Sequence, residues 1–217
     1  MDNVFLNSYT DTLDLNVSRE TYNRFENLVS MIQHKNREIN IISKKTSKKD
    51  QIMERHIKDS AQIIDFIDLN YNTTSDLGTG GGMPGLIIAI MMKDIKKKMI
   101  VKLYEKSHHK CVFLEEVSKK LNLNTQIIKK DIFKIQNIET GTIMSRAFKP
   151  MSVILDLIEK NFKNYKNLIL FMGSSGKRTL ADVLKHWNLE FEEKKSLTSD
   201  NSFLLNIKKI EKKFKCK

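Results

Sequence analysis

Cysteine, proline and tryptophan are scarce in this 217-residue chain, which has two, two and one of them. Cys111 and Cys216 lie far apart and match no metal-binding or disulfide spacing, which predicts a protein of the cytoplasm, a reducing compartment. The longest apolar run, residues 86–92, is far shorter than the roughly 20 residues that span a bilayer, so we expect no membrane association. Residues 1–5 lack the basic segment that opens a signal peptide, and we expect none.

Acidic residues are outnumbered, with 26 against 38 basic ones and a net charge of +12. Residues 1–75 have 10 basic and 11 acidic groups, residues 76–150 have 14 and 7, and residues 151–217 have 14 and 8. A basic surface favours a polyanionic partner, with RNA or DNA as the first candidates. The alternative is that most of these lysines only solvate the surface.

Glycine is also scarce, yet five of the eight glycines fall within residues 76–85. A glycine run can turn tightly and can approach a ligand closely. The segment 73–77 before it reads as a strand, and the apolar run 86–92 after it reads as a buried helix that begins behind Pro84. Strand, glycine turn and helix in this order form the nucleotide-binding corner of an open α/β sheet.

The glycine spacing matches a dinucleotide-binding fingerprint, but a turn without any ligand is the plain alternative. Asp76, at the end of the predicted first strand, favours a different cofactor. We expect its carboxylate to face the cleft, where it would repel a pyrophosphate and attract a cationic amino group or sulfonium. The sequence therefore favours S-adenosylmethionine over a dinucleotide.

The remaining periodicity predicts an α/β Rossmann-like fold with a seven-stranded, mostly parallel sheet. Residues 1–17 read as a loose lead-in, and Ser18 is the expected N-cap of a first helix. We expect one structural unit made of an N-terminal helical cap, residues 1–70, and a sheet domain, residues 71–217. The patterns predict a second cap helix over 50–68, later helices ending near residues 121, 162 and 186, and strands over 73–77, 99–105, 125–128, 142–145, 168–171, 189–197 and 202–210.

Ligands of such sheets bind outside the carboxyl ends of the strands. The glycine turn, including Gly80, would lie against the amino-acid tail of the cofactor. Glu105 ends the second strand, and its carboxylate can accept hydrogen bonds from both ribose hydroxyls. Ile132 and Phe133 follow the third strand and can flank the adenine, although a phenylalanine there is as often a core residue.

Arg146 directly follows an apolar strand, where a solvated arginine is less expected. Its fixed fork of donors suits a carboxylate, a phosphate or the O6/N7 edge of guanine. A salt bridge to Asp76 or Asp131 is the alternative. His108 and His109 read as a solvated pair, and we expect no metal site.

Several motifs together resemble the bacterial small-subunit ribosomal RNA methyltransferase G family, also called glucose-inhibited division protein B. The similarity runs from about residue 20 to 210. The sequence differs from the family pattern at Lys35, at 131–133 and at Met172. The motifs are Asn36 with Asn40 and Ser43, Arg55–Ser60, Asp76–Gly85, Glu105, Lys110 with Phe113 and Leu114, and Ser145–Ala147.

The resemblance implies a Rossmann-like fold of the class I S-adenosylmethionine-dependent methyltransferases. It also implies transfer of a methyl group from S-adenosylmethionine to N7 of one guanine in the 530 loop of 16S ribosomal RNA. It implies cofactor contacts at Gly78, Met83, Ile132, Phe133 and Arg146. Guanine N7 has no proton to lose, so the reaction needs no general base, and positioning supplies the rate. We expect Arg146 to act in catalysis by orienting the cofactor or the guanine.

We expect a set of mostly basic residues to contact the RNA of the small ribosomal subunit. We also expect the protein to be a monomer. That set is Arg55, His56, Lys110, Lys44 and Lys45. Two other functions stay open at this point. One is a non-catalytic RNA-binding factor of ribosome assembly, and the other is a dinucleotide-dependent oxidoreductase.

Overall fold

The computed structural model describes residues 17–213, so the predicted lead-in lies outside it except for Val17. Helix α1, Arg19–Lys35, begins at Ser18, whose Oγ accepts a hydrogen bond from the Thr21 amide at 3.1 Å. This confirms the predicted N-cap. The helix buries one apolar face against the sheet domain, as its three- and four-residue spacing predicts.

The cap helix predicted over 50–68 begins at Lys49 as expected, but it is irregular and ends before residue 68. It consists of α2, Lys49–Ile52, a π-helical stretch, Met53–Lys58, and α3, Asp59–Ala61, followed by a 3-10 turn, Ile64–Phe66, and residues 49–66 form the broken cap segment. Just past α3, the Gln62 side chain accepts from the Leu197 amide at 2.9 Å. Such a contact between residues far apart in the chain leaves no periodic signal in the sequence.

The strands and helices of the sheet domain lie within a few residues of the predicted positions. The short pair β4 and β6 was not predicted, because two-residue strands leave no periodic pattern in a sequence. In chain order the elements are β1, Thr73–Leu77; α4, Gly85–Ile95; β2, Ile100–Tyr104; α5, His108–Lys120; β3, Thr125–Ile128; β4, Ile138–Glu139; β5, Thr142–Ser145; α6, Met151–Asn161; β6, Phe162–Lys163; β7, Asn167–Met172; α7, Gly176–Leu184; β8, Trp187–Lys195; and β9, Phe203–Lys212.

The main sheet has the strand order β3-β2-β1-β5-β7-β9-β8. β9 is antiparallel to both of its neighbours, and the other neighbouring strands pair in parallel, which confirms the predicted Rossmann-like sheet. The chain crosses from one half of the sheet to the other between β3 and β5. The carboxyl ends of β1, β2, β3 and β5 therefore meet at one edge, at the topological switch point where such folds bind ligands.

Two apolar clusters flank this sheet. One contains buried residues of α1, the broken cap segment, α4 and α5, and the other contains those of α6 and α7. Neighbouring residues of β5 alternate between them, with Met144 in the first cluster and Ile143 in the second. The cap thus shares a core with the helices of one sheet face. The boundary at residue 70 stays a prediction. No helix within residues 17–213 is long and apolar enough to cross a membrane.

Candidate active site

The glycine turn between β1 and α4 forms the floor of a cleft. Gly78 has a φ of +65°, a backbone conformation that side chains disfavour. A Cβ placed on Gly78 would overlap the ring of Phe148, which lies directly against this glycine. A glycine is needed at this position for two reasons, the positive φ of the turn and the close approach of the Phe148 ring.

Asp76 lies beneath this turn and not in the cleft, so the prediction that it faces the cleft is wrong. Its side chain is fully buried. Its Oδ2 accepts from the Thr79 hydroxyl at 2.5 Å and from the Gly85 amide at 2.8 Å, which holds the two ends of the glycine turn together. Burial raises the pKa of Asp76 to about 6, against the lowering effect of these two hydrogen bonds. Its Oδ1 has no hydrogen-bond partner among the described residues.

Glu105 lines the cleft at the end of β2, where the sequence predicts it. Its Oε2 accepts from the Gly80 amide at 3.0 Å, and its Oε1 accepts from the Ser107 amide at 2.8 Å. The carboxylate therefore joins the glycine turn to the start of α5. Each oxygen keeps a second lone pair for a ligand hydroxyl.

The segment after β3 forms the opposite wall. Asp131 caps a 3-10 turn, Ile132–Lys134, by accepting from the Phe133 amide at 3.2 Å. This turn places Ile132 in the core with 3% exposure and leaves Phe133 with 39% exposure beside the cleft. Phe133 is thus not a core residue, and both side chains line the cleft as predicted. Met83 is buried and is not among the residues that line it.

Arg146 lines the cleft as well, but its ion-pair partner is neither of the two aspartates that the sequence suggested. Its guanidinium lies 3.3 Å from the Asp59 carboxylate. It also donates to the Arg55 carbonyl at 2.8 Å and to the Ser60 hydroxyl at 3.4 Å. All three acceptors belong to the broken cap segment. Arg146 therefore binds the cap to the sheet at the edge of the cleft, and Arg55–Ser60 is the segment that receives it.

The residues predicted to contact RNA are divided between several places. Lys44 and Lys45 are exposed on a 3-10 turn of the cap, and the Arg55 side chain is also exposed. The Nε2 of His56 lies 2.9 Å from the Thr46 hydroxyl, and burial lowers the pKa of His56 to about 4, helped by Arg146 and Arg55. His56 is therefore neutral at pH 7 and offers no positive charge to a phosphate.

Lys110 lies inside the cleft, with its Nζ 3.9 Å from the position a Cβ on Gly80 would take. The whole cleft has a volume of about 430 Å³. Sequence reasoning missed several of its lining residues, although each lies in a loop that follows a predicted strand. Considering the whole of these loops, and not only the strand ends, would have identified them. They are Lys106, Lys130, Phe148 and Lys149.

Within residues 17–213, no group of three or more histidine, cysteine or acidic side chains is placed to hold a metal ion. The chemistry available in the cleft comes instead from bare backbone, the carboxylates of Glu105 and Asp131, four lysines and Arg146. The backbone can approach an amino-acid tail, and Glu105 can hold a ribose. The cradle thus fits an adenosyl cofactor.

This fold and cleft define an S-adenosylmethionine-dependent methyltransferase. Two solved structures share the fold. A SAM-dependent methyltransferase from Aquifex aeolicus has a TM-score of 0.55 and 14% identity, over 72% of this chain and 91% of that chain. The 16S rRNA methylase RmtB has a TM-score of 0.54 and 10% identity, over 90% and 77%.

The sequence comparisons are more specific. The family model of rRNA small subunit methyltransferase G matches residues 21–205, and the chain belongs to that family. A ribosomal RNA small subunit methyltransferase G of Pelagibacter ubique is 55% identical over 98% of this chain and all of its own length. One from Jannaschia sp. is 30% identical over 88% of this chain and 90% of its own. The predictions of this family and of S-adenosylmethionine as the cofactor are confirmed.

Proposed function

We propose that this protein transfers a methyl group to N7 of one guanine in the 530 loop of 16S ribosomal RNA, within the rRNA methylation that its family performs. The observation that supports this proposal most strongly is the set of side chains that line the cleft. Among residues 17–213 no histidine lines it, both oxygens of Glu105 already hold backbone amides, and Asp131 accepts from the Phe133 amide. Such a site can position a nucleophile but has little with which to remove a proton. N7 of guanine suits it, because that nitrogen carries no proton.

The residues of the cleft have separate tasks in this proposal. The bare backbone at Gly78 and Gly80 and the carboxylate of Glu105 hold the cofactor, and Ile132 and Phe133 flank its adenine. S-adenosylmethionine supplies a methyl group on a sulfonium, which N7 can take with its in-plane lone pair. Arg146 holds the cap over the cleft and keeps donors free to orient the cofactor or the base. We propose that the chain acts as a monomer on RNA of the small subunit.

The test is position mapping on small ribosomal subunits from cells that lack this methylation. Borohydride and aniline cleave RNA at N7-methylguanine, so a single new cleavage site in the 530 loop is the expected result. Methylation without cleavage would place the methyl group on another atom, and cleavage outside the loop would refute the proposed target. Binding of subunits without any transfer would indicate the non-catalytic assembly factor.

The buried carboxylate makes cofactor binding depend on pH. Because the pKa of Asp76 is about 6, its charge is present at pH 7 and largely lost at pH 5. We expect wild-type affinity for S-adenosylmethionine to fall roughly tenfold across this range, since a neutral carboxyl accepts more weakly from Thr79 and Gly85 and holds the glycine turn less firmly. Arg146 and Glu105 are the charged groups that act on Asp76. Calorimetric titration between pH 5 and 7.5 measures the change.

Asp76→Asn is the matched variant, and its affinity is expected to vary little over the same range. The free energy of unfolding should change in the opposite direction, decreasing as pH rises. The folded pKa lies above the ordinary 3.8, so the folded chain binds more protons and the contribution of Asp76 to stability falls as pH rises from about 4 to 6. An equal pH dependence of binding in both proteins would contradict this role for Asp76.

A further inference from the structure

A second, smaller cavity adjoins the cofactor cleft. It has a volume of about 180 Å³ and lies at the carboxyl ends of β5 and β7. Ala147, Phe148 and Lys149 line both cavities. The cofactor cleft and this second space therefore meet at the loop after β5.

The ring of Phe148 has a defined position in that loop. It lies against the Gly78 backbone on one side, and its centroid is 6.2 Å from that of Phe133, with the planes tilted by 33°. Ala147, just before it, has a φ of +48°. A residue with a Cβ takes this left-handed conformation at a cost of about 1 kcal/mol, so the surrounding structure imposes it. The turn directs the next side chain toward the cleft.

The smaller cavity has a mixed apolar and polar lining. Its apolar lining comes from α6 and from β7, including Ile154 and Leu170. Ser145 and Thr179 also line it, and their hydroxyls, which donate to backbone carbonyls, can still accept a hydrogen bond. A nucleobase has apolar faces and a polar edge, and proteins hold single bases by aromatic stacking with a few hydrogen bonds at that edge.

The charge around the two cavities favours RNA as the occupant. Lys106, Lys110, Lys130 and Lys149 line the larger cavity or both, and no acidic side chain among residues 17–213 lies within ion-pair distance of any of them. The lysines of the C-terminal hairpin are different, because most of them pair with acids, as Lys209 does with Glu211. Unneutralised positive charge is thus concentrated where phosphates on either side of an extruded base would lie.

We propose that the smaller cavity receives the target guanine and that the Phe148 ring stacks on this base. The inference rests on the proposed function and extends it to a positioning residue. The N7 lone pair lies in the plane of the base, so a stacking partner that fixes this plane also fixes the direction in which N7 points. A base extruded from its stack gains a new stacking partner in Phe148.

The test compares Phe148→Leu, which keeps apolar bulk, with Phe148→Tyr, which keeps the aromatic face. Base stacking on an aromatic ring corresponds to a factor of about 5 to 150. We expect Phe148→Leu to lose at least tenfold in kcat/KM for small subunits while its Kd for S-adenosylmethionine stays within about threefold of wild type. Phe148→Tyr should restore the transfer. Phe133→Leu, on the adenine wall, should instead weaken cofactor binding.

A second variant tests the cavity without touching the ring. A Cβ on Gly173 would meet no atom within 4 Å, so a side chain there extends into open space at the rim of the smaller cavity. Gly173→Leu should leave the melting temperature and cofactor affinity unchanged and lower transfer by tenfold or more. Gly173→Ala, with its shorter side chain, should lower transfer far less.

Unchanged transfer in both Phe148→Leu and Gly173→Leu would overturn the inference. A loss of cofactor affinity in Phe148→Leu as large as its loss of transfer would also overturn it, by making the ring part of the cofactor wall. If wild-type transfer maps to a nucleotide outside the 530 loop while Phe148→Leu still loses it, the proposed target is refuted and the stacking role is supported.

Discussion

Gly85→Val is expected to lower the free energy of unfolding by about 3 kcal/mol or more, because the first residue of α4 has no room for a side chain. A Cβ there would overlap Leu103 and lie 2.7 Å from the Asp76 carboxylate. The helix must move away from β1 and β2, which breaks the 2.8 Å hydrogen bond from the Gly85 amide to Asp76. Thermal unfolding should show a decrease in melting temperature of roughly 6–12 °C.

The glycine turn should lose its shape along with the helix. Titration with S-adenosylmethionine should therefore show a Kd at least tenfold higher in Gly85→Val. The chain offers a matched control in Gly173→Val, where the same side chain enters open space and stability should change by less than about 0.5 kcal/mol. Equal melting temperatures for the two variants would mean that α4 does not pack on the sheet as described.

Arg146→Ala is expected to abolish most methyl transfer and to lower the free energy of unfolding by about 3 kcal/mol. The change leaves the half-buried Asp59 carboxylate without its cation and the Arg55 carbonyl without its donor. The cap would lose its main polar attachment beside the cleft. Labelled-methyl transfer to small subunits and chemical unfolding measure the two effects, and exposed Arg178→Ala serves as the neutral control.

Asp59→Asn separates the two roles that Arg146 can have. It removes the ion pair but leaves Arg146 in place with its hydrogen bond to Arg55. If Arg146 also contacts the cofactor, Arg146→Ala should raise the Kd for S-adenosylmethionine more than tenfold while Asp59→Asn changes it little. Equal effects of both variants on the Kd would mean that Arg146 only attaches the cap to the sheet. Transfer at the wild-type rate in Arg146→Ala would remove Arg146 from the mechanism.

The parts of the fold that could be predicted are those with a local cause. The glycine turn 76–85, the N-cap Ser18 and the strand 125–128 each follow from a few neighbouring side chains, and the structure has them where the sequence places them. Glu105 and Arg146 could be assigned to the cleft for the same reason, since parallel strands bring their carboxyl ends to one edge. The charge of the chain favoured a polyanionic partner but did not indicate where it binds.

What could not be predicted depends on residues far apart in the chain. The end of the cap helix is held by Gln62 meeting Leu197, and the partner of Arg146 is Asp59, 87 positions earlier. Which lysines stay unpaired depends on which acids the fold brings close, and most lysines of the C-terminal hairpin pair with acids.

The sequence by itself determined the sheet class and the glycine cradle, because these depend on residue types in neighbouring stretches of the chain, and its family motifs indicated the kind of cofactor. Only the tertiary structure decided that Asp76 lies under the cradle and that Phe148 lines two adjoining cavities. The physical reason is that burial, and with it the pKa of a carboxyl group, depends on what the rest of the chain packs around it.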